Sequence, residues 1–224
     1  MFTFQGVSIM DHSSQKKILW GLRGKLCVEN LIKHRFDAHL VSSVEEARRL
    51  IISMSSGCQS FGFGGSDTIR SLGIIEHLKK EGKTIYDHNQ EALPLEASIK
   101  IRKEELKSDC FLASANAISM TGEIVNVDGV GNRTSAISFG PGKVIIVAGI
   151  NKLTTDLESA LKRVKEVAAP MRAKSLNMPT PCAETGICTD CNAPMRICNI
   201  TLILHRKPIL TDISIILVNE ELGY

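Results

Sequence analysis

Four cysteines, Cys182, Cys188, Cys191 and Cys198, fall close together near the end of the chain and form its densest set of metal-ligating side chains. Cys188 and Cys191 make a Cys-x-x-Cys pair that can chelate from one turn, and the outer two can close a tetrahedron. In a reducing compartment such a set favours a metal over disulfides. Its gaps of five, two and six residues match neither the two tight pairs of zinc fingers nor the shorter run of two-cluster ferredoxins. A [4Fe-4S] iron–sulfur cluster and a zinc ion therefore both stay open, beside a Cys-rich loop with a redox disulfide or free thiols. Cys27, Cys58 and Cys110 stand alone among apolar neighbours and read as small buried hydrophobes.

Glycine-bearing loops hold the other candidates. In the run from Phe61 to Thr68, Gly64 and Gly65 let the backbone approach a ligand, and the helix start behind them offers free amides. With the Ser66 and Thr68 hydroxyls this reads as an anion or phosphate cradle, or as a tight turn that Ser66 caps. The run is neither a P-loop nor a dinucleotide fingerprint. Asn116 could orient a carboxylate or carbonyl, or could simply form a turn. Further on, Asp128, Asn132 and Arg133 place a carboxylate, an amide and a guanidinium within six residues. Arg133 could grip an anion bidentately, while Asp128 could be a general base or a partner of Arg133. Asn151 and Lys152 follow the most strand-like run, with Lys152 either a cation for a small anionic ligand or an ordinary solvated lysine. The six histidines, His12, His34, His39, His77, His88 and His205, form no ligand-like pair and read as surface or core side chains. No nucleophile elbow, Ser-His-Asp set or His-Glu-x-x-His motif is present.

Composition narrows the class. The chain has 224 residues, 43% of them apolar and 23% charged, enough to bury a core without staples. Seven Phe, two Tyr and one Trp are too few for a base-stacking module, and 27 Lys plus Arg against 24 Asp plus Glu leave only +3. No nucleic-acid partner is expected. The longest apolar runs, Val144 to Ile150 and Ile213 to Val218, fall far short of the roughly 20 residues of a spanning helix, so no membrane insertion is expected. Met1 to His12 has neither a basic start nor a long apolar stretch, so no signal peptide is expected and the expected location is cytoplasmic. The sequons at Asn132 and Asn199 then read as chance.

Helical and strand patterns alternate along the chain. Ser43 and Glu46 spell a capping box before a stripe of Ala47, Leu50, Ile51 and Met54. Gln59 to Phe63 reads as a strand, and Ser66 to Glu81 as one helix with Ile69, Leu72, Ile75 and Leu78 inside, ending at Gly82. Strands are expected at Thr84 to Tyr86, Cys110 to Ala113 and Lys143 to Ala148, with a hairpin turn over Met120 to Glu123. A second capping box at Thr155 to Glu158 opens a helix expected to stop at Pro170. Two more strands, Ile200 to Leu204 and Ile213 to Val218, are joined through Pro208. The alternation implies an α/β domain with a mostly parallel sheet and flanking helices, whose ligands sit at the carboxyl ends of strands. One domain is expected over 1–224, with 171–199 a Pro- and Cys-rich metal-binding appendage.

In this order the segments resemble the LUD (lactate utilisation) domain family in its short, single-domain form. The resemblance rests on Gly62 to Thr68 with Leu72 and Gly73, Ser114 to Ala117, and Thr121 to Glu123 with Asp128 and Gly129. It continues through Gly131 to Arg133, Gly140 and Pro141, Gly149 to Lys152, Ala168 to Pro170 and Glu221 to Gly223, covering about residues 15 to 224. It implies a fold like that of ribose-5-phosphate isomerase, glucosamine-6-phosphate deaminase and the CoA transferases. It also implies an accessory or electron-transfer subunit in the oxidation of L-lactate to pyruvate, working with iron–sulfur partner proteins. The short form has no agreed catalytic residue, so Asp128 and Arg133 stand as catalytic candidates only. The other loop residues stand as binding candidates. The longer form adds a ferredoxin-like domain that this sequence does not contain, and the cysteine cluster belongs to only part of the family. A stand-alone sugar-phosphate or acyl-thioester enzyme, and a module with purely structural zinc, are the competing readings.

Overall fold

The computed structural model describes residues 11–224. Met1 to Met10, most of the stretch in which no signal peptide is expected, lie outside the described residues. The described chain starts with α1 (His12–Lys33), β1 (Asp37–Val41), α2 (Val44–Met54), β2 (Ser60–Phe63), α3 (Asp67–Ser71), α4 (Ile74–Lys80) and β3 (Thr84–Asp87). Next come α5 (Leu95–Glu105), β4 (Cys110–Ala113), β5 (Ala117–Ser119), β6 (Ile124–Asp128), α6 (Asn132–Ser138) and β7 (Lys143–Gly149). The rest is β8 (Leu153–Thr154), α7 (Leu157–Arg163), α8 (Ala169–Ser175), α9 (Pro181–Thr185), β9 (Ile200–Leu204) and β10 (Asp212–Val218).

Six strands form one all-parallel sheet in the order β1-β10-β7-β4-β2-β3. Its centre is apolar on both faces, as strands covered on two sides require. Ile213, Ile215 and Leu217 of β10, with Val144, Ile146 and Ala148 of β7, pack toward α1 and α6. The alternate residues Ile145, Val147, Ile216 and Val218 pack toward α2, α3 and α4. A separate four-stranded sheet runs β8-β5-β6-β9, in which β6 is antiparallel to both neighbours. Its strands are short, and the sequence pattern does not separate it from the main sheet. The two C-terminal strands expected from the sequence are both present, one in each sheet.

Local chemistry explains most boundaries and two departures. Ser43 accepts from the Glu46 amide as a capping box requires, whereas the Glu46 carboxylate turns back to the Ser42 amide. The helix expected over Ser66 to Glu81 is two helices, because Gly73 adopts φ +63 and interrupts the hydrogen-bond ladder. The apolar stripe survives the break: Ile69, Leu72, Ile75 and Leu78 are all buried. The helix after Thr155 is capped by Asp156, which accepts from the Ser159 amide at 2.7 Å, and it does not stop at Pro170. A π-turn over Val164–Ala168 leads into α8 and leaves Pro170 in the first turn of that helix. A missing N–H costs nothing there. Cys27 and Cys110 are fully buried, whereas Cys58 is half-buried. No helix among the described residues is long and apolar enough to cross a membrane.

Candidate functional site

Adjacent strands β7, β4 and β2 end at the same edge of the main sheet, so the loops that follow them converge. They bring Lys152, Ser114 to Asn116, and Gly64 to Thr68 around one cleft of about 340 Å³. β6 delivers Asp128 and the start of α6 to the same cleft, and α8 adds Arg172. This volume falls within the range of about 300–1,000 Å³ typical of small-molecule sites.

Lys152 sits at the bottom. It is 4% exposed, and its Nζ donates to Thr68 Oγ1 and Ser114 Oγ, each at 2.9 Å. Burial, helped by the nearby Arg163 and Arg133 guanidinium groups, pulls its pKa down to about 7. The C-terminal residues close over it: a side chain on Gly223 would begin 3.3 Å from Lys152 Nζ and 2.5 Å from Thr68 Oγ1. Asn151 anchors this tail, accepting from the Leu222 amide at 3.0 Å and donating to the Gly223 carbonyl at 3.2 Å. Asn151 therefore faces away from the cleft that surrounds the other nine loop candidates.

Arg133 lies across Gly64, where a Cβ would stand 3.0 Å from its Cγ and Cδ. One terminal nitrogen, Nη2, donates to Asn116 Oδ1 at 3.0 Å and to the Val127 carbonyl. Its Nε is buried without a partner, and Nη1 has no acceptor among the described residues. Burial lowers the Arg133 pKa, so a bound anion would relieve an unfavourable charge. Asn116 thus positions the guanidinium, and it also accepts from the Val127 amide at 2.8 Å. Asp128 makes no ion pair with the Arg133 side chain. Its carboxylate accepts from the backbone amides of Arg133 at 3.0 Å, Thr134 at 3.2 Å and Val130 at 3.3 Å. That engagement ties the end of β6 to the free amides at the start of α6.

Ser66 also serves backbone geometry, accepting from the Ile69 amide at 3.3 Å. Arg172 pairs with Asp67 at 3.0 Å and donates to the Gly65 carbonyl at 3.2 Å, which fixes the glycine loop from the far wall. Arg102 also lines the cleft; one end donates to Ser98, and its Nε is buried without a partner. The acidic groups facing this space are thus tied to amides or to Arg172, while Arg133, Arg102 and Lys152 keep donors for an anion.

His88 enters from the loop after β3 and lines the cleft. Its Nδ1 lies 2.5 Å from Glu105 Oε1, a carboxylate whose side chain is 1% exposed. The His88 amide donates to the same oxygen at 3.2 Å, and Asn132 Nδ2 donates to Glu105 Oε2 at 3.2 Å. The other ring nitrogen, Nε2, faces Gly65, where a Cβ would stand 3.3 Å away.

The four cysteines do not build a metal cage as placed. Burial pushes the Cys198 thiol up, Arg196 opposes this, and Cys188 and Cys191 are near enough to add to the rise. Cys182 Sγ instead pairs with Thr180 Oγ1 at 3.5 Å. Among the described residues no three His, Cys, Asp or Glu side chains are drawn together closely enough to hold a metal ion.

The model of the LUD domain family matches residues 25–218 of this chain. The chain belongs to the LUD domain family. That family is associated with lactate utilisation. The LUD-domain chain also superposes on the crystal structure of a DUF162 family protein from Deinococcus radiodurans, with a TM-score of 0.51 and 14% identity. The superposition covers 89% of this chain and 98% of the other, and it speaks to the fold alone, an α/β arrangement with a six-stranded parallel sheet flanked by helices. No curated protein matches the sequence.

Sequence reasoning missed Ser114, His88, Arg102 and Arg172 of this LUD-domain cleft, and Glu105 behind His88. Ser114 was visible only as one of a run of small residues. His88 and Glu105 are 17 residues apart, and no local spacing links them. Arg172 lies in the stretch expected to be an appendage, yet α8 carries it into the cleft wall while Ala173 is fully buried.

Proposed function

We propose that this LUD-domain protein binds a small 2-hydroxy or 2-oxo acid of the lactate–pyruvate kind in the cleft. In this reading it acts as a partner-dependent subunit of lactate oxidation, with electrons carried by iron–sulfur proteins. The observation that carries the binding half is the set of cationic donors left without acceptors around one cleft, Arg133 above all. The family's association with lactate utilisation supports the partner half. The cleft exceeds the needs of a three-carbon acid, which gives the competing reading, a larger phosphorylated ligand, its one specific support.

Calorimetric titration of the purified chain with lactate, pyruvate and inorganic phosphate tests the site. The expected result is saturable binding of a 2-hydroxy or 2-oxo acid, weakened about 10- to 100-fold in Arg133→Ala, as loss of a hydrogen bond to a charged group implies. Arg133→Lys, which keeps the charge and loses the fork, should fall between. Phosphate binding alone would transfer the site to the competing reading, and unchanged affinity in both variants would remove Arg133 from it.

The cysteine segment belongs to the same proposal as a metal element that must close before it can bind, since the thiols as placed form no cage. Metal analysis after anaerobic purification should find one zinc or about four iron per chain. Metal-free protein would refute it.

A further inference from the structure

We propose that the cleft performs acid–base catalysis, with His88 moving a proton to and from the bound acid and Glu105 acting as its positioning residue. The proposal rests on the cleft being a carboxylate site, as set out above, and adds a chemical step to it.

Glu105 is the last residue of α5, at the end of a run of four charges from Arg102 that would ordinarily face solvent. It is instead 1% exposed, and a buried carboxylate needs partners. It finds them in the His88 amide, His88 Nδ1 and Asn132 Nδ2. A proton on Nδ1 shared with the carboxylate leaves Nε2 as the nitrogen that carries the lone pair in the neutral ring. Nε2 has no hydrogen-bond partner among the described residues, and His88 lines the cleft. Gly65, at φ +67 and without a side chain, leaves open the space beside that nitrogen. A pair serving packing alone gains nothing from an imidazole nitrogen kept toward a cationic cleft.

The substrate class is a 2-oxo acid with C–H bonds at C3. Neutral His88 takes a C3 proton at Nε2. The C3–H electron pair becomes the C2–C3 double bond, and the carbonyl pair moves onto the C2 oxygen. Cationic donors of the cleft, Lys152 among them, stabilise that enolate oxygen, and Arg133 holds the carboxylate. Return of the proton from Nε2 to C3 regenerates the acid. No electrons leave the substrate, so the step needs no oxidant and no partner.

The test is proton NMR of pyruvate with the full chain in deuterium oxide, following loss of the C3 methyl signal, beside calorimetric affinity for pyruvate. Wild-type protein should accelerate the exchange. His88→Asn should slow it about a hundredfold or more, the usual contribution of a general base. Glu105→Gln should slow it while affinity in both variants stays within a few-fold of wild type, and His88→Gln replaces His88→Asn where that variant does not fold. Binding by wild type without exchange above the buffer rate would overturn the catalytic assignment and leave the carboxylate site standing. Exchange at the wild-type rate in folded His88→Asn would also overturn it. Absence of pyruvate binding would overturn the underlying binding reading, and this step with it.

Discussion

Lys152 is where environment adds most to sequence. A lysine after a strand reads either as a cation for a small anion or as a solvated side chain, and here Nζ is enclosed by Thr68, Ser114 and the C-terminal residues. Its pKa falls from 10.5 to about 7, so the folded state resists the charge that the unfolded chain carries. Between those values the unfolded state binds more protons, and stability must rise with pH; below about 7 the penalty is present in full. The expected contribution is up to about 1.4 kcal/mol per pH unit. Urea unfolding of wild type and Lys152→Met at pH 7.5 and 9.5 isolates it. Wild type should gain about 2 kcal/mol relative to the variant over that interval, and parallel stability curves would show Lys152 to be ordinary. Asp128 makes the opposite point. Its carboxylate invited a catalytic reading, and three backbone amides account for it.

At the scale of elements, the fold was legible wherever one face of a helix or both faces of a strand are apolar. The central strands β7 and β10 and the stripe of α2 meet that condition. Two of the departures came from local changes of backbone geometry that leave the hydropathy pattern intact. Gly73 splits one helical stripe into α3 and α4, and the π-turn before Pro170 carries the chain past a residue that should end a helix. That second departure matters to the site, because α8 brings Arg172 to Asp67 and Gly65. The residues after β10 form no regular element, and Asn151 supplies two of their hydrogen bonds. Gly149 leaves room for the arrangement: a Cβ there would stand 2.4 Å from both Asn151 Oδ1 and the Leu222 nitrogen. Asn151→Ala should release the tail at about 1 kcal/mol per lost bond. Hydrogen exchange at the Leu222 amide should then quicken roughly tenfold, with little change in global melting. An unchanged Leu222 amide would assign the anchoring to other contacts.

For the whole molecule, the arrangement that matters is one sheet edge facing a second, smaller sheet and α8 across a cleft. The loop residues could be read from the sequence because each follows a recognisable strand, and three of those strands are neighbours. Three other residues could not: Arg172 comes from a segment read as an appendage, and no local spacing links His88 to Glu105, so only tertiary closure brings these side chains together. A crystal structure of the chain with pyruvate tests the central claim most directly. The expected result is the carboxylate against Arg133 Nη1, with the rest of the ligand between Lys152 and His88 Nε2. A cleft left empty beside pyruvate bound elsewhere on the chain would contradict it.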